Sequence, residues 1–335
     1  MPNKPNIITV TLNTAIDRVL SAAHFKVGAH VRAAELFRYP AGKGINVSRT
    51  LARLGWQNIA TGFIGEQHAP DYDAFLREIK PGRIINQLLS VKGATRENIT
   101  ILDPANHTDT HIRAEGYAIS EHARGRIFSK VGLLARQNTY IVFTGSLPPG
   151  MDLTDYNTLV NVALSAGANI ILDLDGSALR SIIQFNPDNL NSQTAPVAAK
   201  PFFLVKPNES ELAEMVGCAG FDNEQQLLDA ARLLALQAQW VVVTRADRGA
   251  ILIAPDGSAL SACCDIDPAL IINTVGCGDT VLAGLLDALL QSFAPEQAFI
   301  KALALATANA AHQGVAEYEL GKIAEFEKHV AISPI

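Results

Sequence analysis

Two glycine-rich stretches carry the residue types that could do chemistry. The first, "AGKGINVSRTLARLG" over 41–55, sets Lys43 between Gly42 and Gly44 directly ahead of a helix-patterned run. The glycines let the main chain approach a ligand, Lys43 brings a positive charge, and Asn46 can donate to and accept from a hydroxyl. No Ser or Thr follows the lysine, so this is neither a Walker loop nor a dinucleotide fingerprint. A loop with a solvated lysine is the competing reading. The second, "NTVGCGDTVLAGLLDALL" over 273–290, flanks Cys277 with Gly276 and Gly278 and places Asp279 next. Leu282, Leu285, Leu286 and Leu289 then mark a helix face. Glycines at a helix start leave backbone N–H groups bare to converge on an anion, and the helix dipole adds positive potential there. A carboxylate at the rim can take the proton of a hydroxyl attacking phosphorus. The competing reading is a turn with Asp279 as N-cap.

The elements that must hold these stretches in place are legible in the pattern. "NIITVTL", "IVFTGS", "NIILDL", "FFLVKP" and "WVVVTR" are short, β-branched apolar runs suited to strands buried on both faces. "INVSRTLARLG", "YNTLVNVALSAG", "ESELAEMVG" and "EQQLLDAARLLALQ" repeat their apolar residues at helical spacing. The alternation predicts an α/β fold, a doubly wound and mostly parallel sheet flanked by helices. In such sheets ligands bind at the carboxyl ends of the strands. Two regions break the alternation, about 18–39 and 98–119, each reading as a strand pair without a helix. Together they predict a small β-sheet standing off the body of one domain spanning 1–335, a lid that would also suit pairing with a second copy as a homodimer.

Composition limits the function classes. A net charge of −6 over 335 residues, with no basic run, argues against a nucleic-acid partner. No apolar run is long enough for a membrane span, and the start of the chain lacks the pattern of a signal peptide. The four cysteines form no Cys-x-x-Cys pair and the eight histidines no ligand spacing, so a reduced, cytoplasmic protein is expected.

Taken together, the two glycine-rich stretches resemble the paired signatures of the PfkB-type, ribokinase-like carbohydrate kinases. "TLNTAID", "TRENITI", "TGSLPPG", "LDLDGSAL" and "KPNESEL" fill the interval in the family's order, so the resemblance spans nearly the whole chain. These intervening motifs look most like the phosphosugar branch, with 1-phosphofructokinase, the minor 6-phosphofructokinase and tagatose-6-phosphate kinase. The resemblance implies ATP as co-substrate, Mg²⁺, and a ketohexose phosphate as acceptor. It makes Asp279 the catalytic base and Gly276, Cys277 and Gly278 the anion hole. Asp17, Gly42, Lys43 and Asn46 match the sugar-binding positions, Arg96 the residue that meets the substrate's own phosphate, and Ser146 a neighbour of that site. A guanidinium suits phosphate because it can bind bidentately. Asn208 and Glu211 match an Asn-x-x-Glu motif that organises Mg²⁺ with its waters. Lys206 and Thr244 match positions along the nucleotide phosphates, and Gly249 and Asn309 the purine side. Lys43 would hold phosphates of donor or acceptor.

Three departures from the family pattern stand out. Ala41 occupies a position usually held by glycine, and Cys277 one usually held by Ala or Ser. "RAEGY" over 113–117 stands where Asn-Glu-Pro-Gly-Pro is common, which bears on the identity of the phosphosugar. A kinase of an unphosphorylated sugar or nucleoside is the nearest rival. Asp279, with an ordinary aspartate value of about 3.9 lowered further by a helix N-terminus, is expected to be a weak base. A loose transition state, in which the hydroxyl acidifies as the new bond forms, accommodates that. Asp173, which ends a buried strand, is expected to shape the site.

Overall fold

The computed structural model describes residues 4–79, 81–106, 108–183 and 200–335. In chain order the elements are β1 (Asn6–Thr11), β2 (Ala15–Ser21), β3 (Ala34–Ala41), α1 (Lys43–Arg53), β4 (Asn58–Gly65), α2 (Ala69–Ile79), β5 (Ile84–Val91), β6 (Arg96–Asp103), β7 (Thr108–Arg113), α3 (Glu121–Leu134), β8 (Thr139–Thr144) and α4 (Leu153–Ser165). There follow β9 (Asn169–Asp173), α5 (Gly176–Ile183), β10 (Phe202–Val205), α6 (Glu209–Val216), α7 (Glu224–Leu234), β11 (Ala238–Thr244), β12 (Ala250–Ile253), β13 (Ala259–Cys264), α8 (Cys277–Leu290), α9 (Pro295–Ala310), α10 (Leu320–Phe326) and β14 (Val330–Pro334).

The main sheet runs in the order β5-β4-β1-β8-β9-β10-β11-β12-β13-β14. Every pairing from β5 to β11 is parallel, as the doubly wound reading expects. An antiparallel edge, β12 to β14, extends it. Side chains alternate between two buried faces with the period of two that strands impose. Ile8, Ile141, Leu172 and Val205 pack toward α3 to α7. Ile7, Val142, Ile171 and Leu204 pack toward α1, α8 and α9. Gly284 lets α8 and α9 close on one another, since a Cβ there would stand 2.9 Å from Leu305 Cδ2 and 3.1 Å from Ala302 Cα. The leucines read from the helical spacing, Leu282, Leu285 and Leu286, are fully buried in this interface, where truncation to alanine costs about 2–5 kcal/mol. Among the described residues no helix is long and apolar enough to cross a membrane.

The regions that break the alternation build a separate four-stranded sheet, β3-β2-β6-β7. Its boundaries differ from the sequence reading. β2 begins at Ala15 and β6 at Arg96, β7 ends at Arg113, and a parallel β2–β6 ladder joins the two pairs. Asp17 and Arg96 therefore sit on strands of this sheet. His107, within the expected second turn, lies outside the described residues. At the outer end, the Asp103 carboxylate accepts backbone N–H bonds from His24, Phe25, Ala105 and Asn106. Burial would raise its pKa, but these bonds and the Asn106 amide outweigh burial and hold it down to about 2.

Candidate active site

Helix α8 starts at Gly276, whose φ of 77° lies in the left-handed region. A Cβ there would also stand 2.5 Å from Val315 Cγ1, so the position combines a backbone and a packing demand for glycine. Asp279 is the third residue of the helix and caps nothing, which sets aside the capping alternative. The Cys277 N–H turns back to the Thr274 carbonyl at 3.3 Å. Helical geometry leaves the next N–H groups, of Gly278 and Asp279, without carbonyl partners.

Asp279 is 6% exposed, and Oδ2 accepts a hydrogen bond of 2.8 Å from the Asn46 side-chain amide. Its pKa does not follow the helix-dipole expectation. Burial, with the negative charge of Asp173 adding to it, pushes the carboxyl up to about 7; Lys43, the Asn46 bond and Lys206 oppose this. Desolvation of the carboxylate outweighs the dipole, and the group is poised as a base near neutral pH.

Asp173 ends β9 with no exposure and anchors the charges around Asp279. Lys206, itself 4% exposed, sets Nζ 2.9 Å from Asp173 Oδ1, and the Thr144 hydroxyl donates to Oδ2 at 2.9 Å. Lys43 places Nζ 3.7 Å from both Asp173 Oδ1 and Glu211 Oε1. The Asp173 carboxylate holds the Lys43 ammonium well above the usual lysine range, with burial opposing and Glu211 and Asp279 assisting. Lys43 is thus drawn into the site, although its side chain keeps 42% exposure.

Asn208 and Glu211 meet at the start of α6. Asn208 is the N-cap of α6, and the two form a reciprocal capping box: Glu211 N–H donates to Asn208 Oδ1 at 2.8 Å, and Asn208 N–H to Glu211 Oε2 at 2.7 Å. This leaves Glu211 Oε1 facing Lys43. Among the described residues no group of three or more His, Cys, Asp or Glu side chains is clustered to hold a metal. Glu211 Oε1, which the capping box leaves unused, fits Mg²⁺, which keeps most of its waters and takes phosphate oxygens as ligands.

On the opposite rim, Gly42 (φ 142°) and Gly44 press against Thr11; a Cβ at Gly44 would lie 2.4 Å from Thr11 Oγ1. Ala41 is buried at the end of β3. Its N–H donates to the Tyr72 hydroxyl at 3.2 Å, and that hydroxyl donates to the Ala41 carbonyl at 2.6 Å, so the methyl takes no space from a ligand. Asp17 accepts a bond of 2.9 Å from the Asn98 amide. Burial raises the Asp17 pKa, while that bond and the charges of Arg96, Arg113 and Arg49 restrain it. Arg96 Nη2 donates to the Asn13 carbonyl at 3.1 Å, and its Nε has no partner. Gly116 (φ 94°) packs against it, since a Cβ there would meet Arg96 Cβ at 3.2 Å. Arg113 lies opposite Asn98 in the β6–β7 ladder and adds a second cation beside Arg96 and Asp17. The sequence reading passed over Arg113; its place at the start of "RAEGY" was the available signal. Ser146 is exposed in the segment that follows β8, next to Gly145, where a Cβ would stand 3.9 Å from Lys43 Cβ.

On the remaining side, Thr244 closes β11 and its N–H donates to the Pro207 carbonyl at 3.1 Å. Gly249 (φ 76°) serves packing, because a Cβ would stand 2.0 Å from the Ala262 carbonyl. Asn309 is fully buried in α9, and its amide donates to the Val275 carbonyl at 3.2 Å and to Cys277 Sγ at 3.3 Å. It braces the turn ahead of α8. The thiol of Cys277 points into α9, and burial pushes it up to about 11 against the Asn309 bond, so the substitution leaves the backbone of the anion hole unobstructed.

Comparison with known proteins bears on this arrangement. The chain is 30% identical over 293 residues to a 1-phosphofructokinase of Bacillus subtilis, covering 88% of each. It is 32% identical over 285 residues to a 1-phosphofructokinase of Xanthomonas campestris, covering 84% of each. The phosphofructokinase-2 of Escherichia coli, solved in complex with substrates and products, shares the fold with a TM-score of 0.83 at 22% identity, over 96% of this chain and 98% of that one. The model of the pfkB family carbohydrate kinases matches residues 8–320. The chain belongs to that family, and its reaction is phosphoryl transfer to an alcohol.

Proposed function

We propose that this protein, as one kinase domain with the small sheet as its lid, transfers the γ-phosphoryl group of ATP to a hydroxyl of a ketohexose phosphate, with fructose 1-phosphate the leading acceptor. The observation that carries this reading is the pair of guanidiniums, Arg96 and Arg113, beside Asp17. A neutral sugar gives two such cations nothing to bind, whereas a phosphate dianion satisfies both. The names of the relatives at 30% and 32% identity favour fructose 1-phosphate among the ketohexose phosphates.

In this mechanism Asp17 and the free Oδ1 of Asn46 hold the sugar hydroxyls. The acceptor oxygen bonds to the γ-phosphorus as the bond to the β-phosphate oxygen breaks, its proton passes to Asp279, and ADP leaves. The N–H groups of Gly278 and Asp279 hold charge that grows on the transferring group. Lys206 and Lys43 neutralise phosphate oxygens, with Asp173 fixing their positions. Through water, Glu211 would hold Mg²⁺, which would add charge neutralisation on the phosphates. Thr244 lines the nucleotide phosphates; Gly249 and Asn309 shape the purine side through the backbone they pack. Closure of the small sheet excludes water as a competing acceptor. Use of ATP as donor supports a cytoplasmic setting.

A homodimer through the small sheet is supported by its outer face. Leu20, Ile99, Ile101 and Ile112 align there by register, away from Asp17, and Ile112 is 51% exposed. Sedimentation of Ile112→Lys tests it: the wild-type dimer should become monomer, and an unchanged sedimentation coefficient refutes the interface.

The functional test is ADP release with Mg-ATP against fructose 1-phosphate, fructose 6-phosphate, tagatose 6-phosphate, fructose, ribose and adenosine. Strong turnover of fructose 1-phosphate is expected. Turnover confined to neutral sugars or nucleosides overturns the reading.

A further inference from the structure

Arg49 is the largest fully buried side chain that the transfer mechanism does not use. It lies in α1, one turn beyond Asn46, with 2% exposure. Nη2 donates to Glu317 Oε1 at 3.1 Å, and neither Nε nor Nη1 has a hydrogen-bond partner. The guanidinium carbon sits 4.6 Å from the Phe75 ring centroid and 5.7 Å from that of Tyr39, and the two rings are stacked. Burial pulls its pKa down to about 10, and Glu317 is the foremost of the charges that resist this. A cation so placed, with one carboxylate and two ring faces as its company, is costly unless it holds something together.

The parts it joins belong to the two halves of the site. Tyr39 stands in β3 directly opposite Asp17, so it roots the sugar-side sheet. Its ring lies over the Arg49 guanidinium, whose Nη2 is held by Glu317 in the same turn as Val315. Val315 is the residue whose Cγ1 fills the place of the missing Cβ at Gly276. Glu317, two residues further, is shared by Arg49, by Arg53 at 3.5 Å and by His312 Nδ1 at 3.8 Å. Gly314 makes room for it, because a Cβ there would lie 2.3 Å from Glu317 Oε2. The turn over 312–317 is thus clamped on one side to α1 and the small sheet, and presses on the start of α8 on the other.

We propose that Tyr39, Arg49 and Glu317 form a positioning junction that couples the seating of the small sheet to the geometry of the α8 anion hole. None of the three touches a reacting atom. They act through Val315, which sets where Gly276 places the N–H groups that follow it. When the sheet settles over a sugar, β3 carries Tyr39, and the displacement reaches Gly276 through rigid packed groups. This inference deepens the kinase reading and rests on it.

The test is kinetic, on the full-length protein with the sugar phosphate that wild type turns over best. Tyr39→Leu removes the ring from Arg49, with Tyr39→Phe as the control that keeps it; Glu317→Gln keeps the shape and removes the charge. Tyr39→Leu and Glu317→Gln should each lower kcat roughly tenfold, the scale of slight misplacement of reacting groups, while KM for ATP and the kcat of Tyr39→Phe stay close to wild type. The double variant should be no worse than the poorer single one, as expected for residues acting through one connection. A Tyr39→Leu kcat within about twofold of wild type, or a double variant whose loss is the product of the two single losses, overturns the junction. Wild type silent toward every sugar phosphate instead overturns the kinase reading itself.

Discussion

The side-chain amide of Asn46 donates to Oδ2 of Asp279 at 2.8 Å, across 233 positions of sequence. One helix start thus holds the base that the other presents. The bond lowers the Asp279 pKa against the larger effect of burial, which pushes it up to about 7. The base proposed above must be unprotonated to act, so kcat/KM should fall as pH drops through about 7. Asn46→Ala removes the restraint and moves that acid limb to higher pH. A limb that stays in place, in a full pH profile, refutes the coupling.

Asp279→Asn should lower kcat by several orders of magnitude with ATP affinity largely kept, measured by single-turnover assay and calorimetry. Stability should move the other way. The folded protein binds this proton more tightly than the unfolded chain, so the stabilisation from protonation is complete below the unfolded value of 3.8 and is lost as pH rises through about 7. Asparagine resembles the protonated acid. The variant should therefore show a higher Tm than wild type at about pH 8 and no gain at about pH 4.

Arg96→Ala and Arg113→Ala should each raise KM for the sugar phosphate about 10–100-fold, from loss of a charged hydrogen bond, with smaller effects on kcat. Activity toward the unphosphorylated sugar should not change. Equal losses for both acceptors in steady-state assays would remove the phosphate role.

The capping box separates two roles of the Asn208/Glu211 pair. Glu211→Gln preserves the cap, since glutamine can still accept the Asn208 N–H, but loses the charge at Oε1. It should keep its Tm and need more Mg²⁺ for half-maximal rate. Asn208→Ala loses the N-cap acceptor and should cost about 1 kcal/mol in denaturant unfolding. A Glu211→Gln enzyme with unchanged Mg²⁺ dependence contradicts the metal role.

Much of the architecture was legible because its causes are local. The β-branched runs Asn6–Thr11, Asn169–Asp173 and Ala238–Thr244 are strands for reasons contained in each run. The small sheet was visible only as an absence of helical spacing, so its parallel β2–β6 ladder and the true starts at Ala15 and Arg96 went unread. Pairing between segments some 80 residues apart leaves no mark of its own on either segment. Arg113 was missed for the same reason, since only the β6–β7 register sets it beside Arg96.

By itself the sequence determined the alternation of strands and helices, the bare backbone at Gly276–Gly278, and the residue types able to meet a phosphate. Periodicity, glycine's missing side chain and charge are properties of each segment. Tertiary structure decided what those residues became. The parallel order β8-β9-β10 brings Asp173 to Lys206, and burial, with the charge of Asp173 adding to it, raises the Asp279 pKa to about 7. The α9 helix takes the Cys277 thiol and the Asn309 amide for bracing. Among the described residues, Arg49 has its only hydrogen-bonding counter-charge from a turn 268 residues away. Desolvation, shared counter-charges and close contacts depend on groups that arrive from elsewhere in the chain, and no short stretch of sequence carries them.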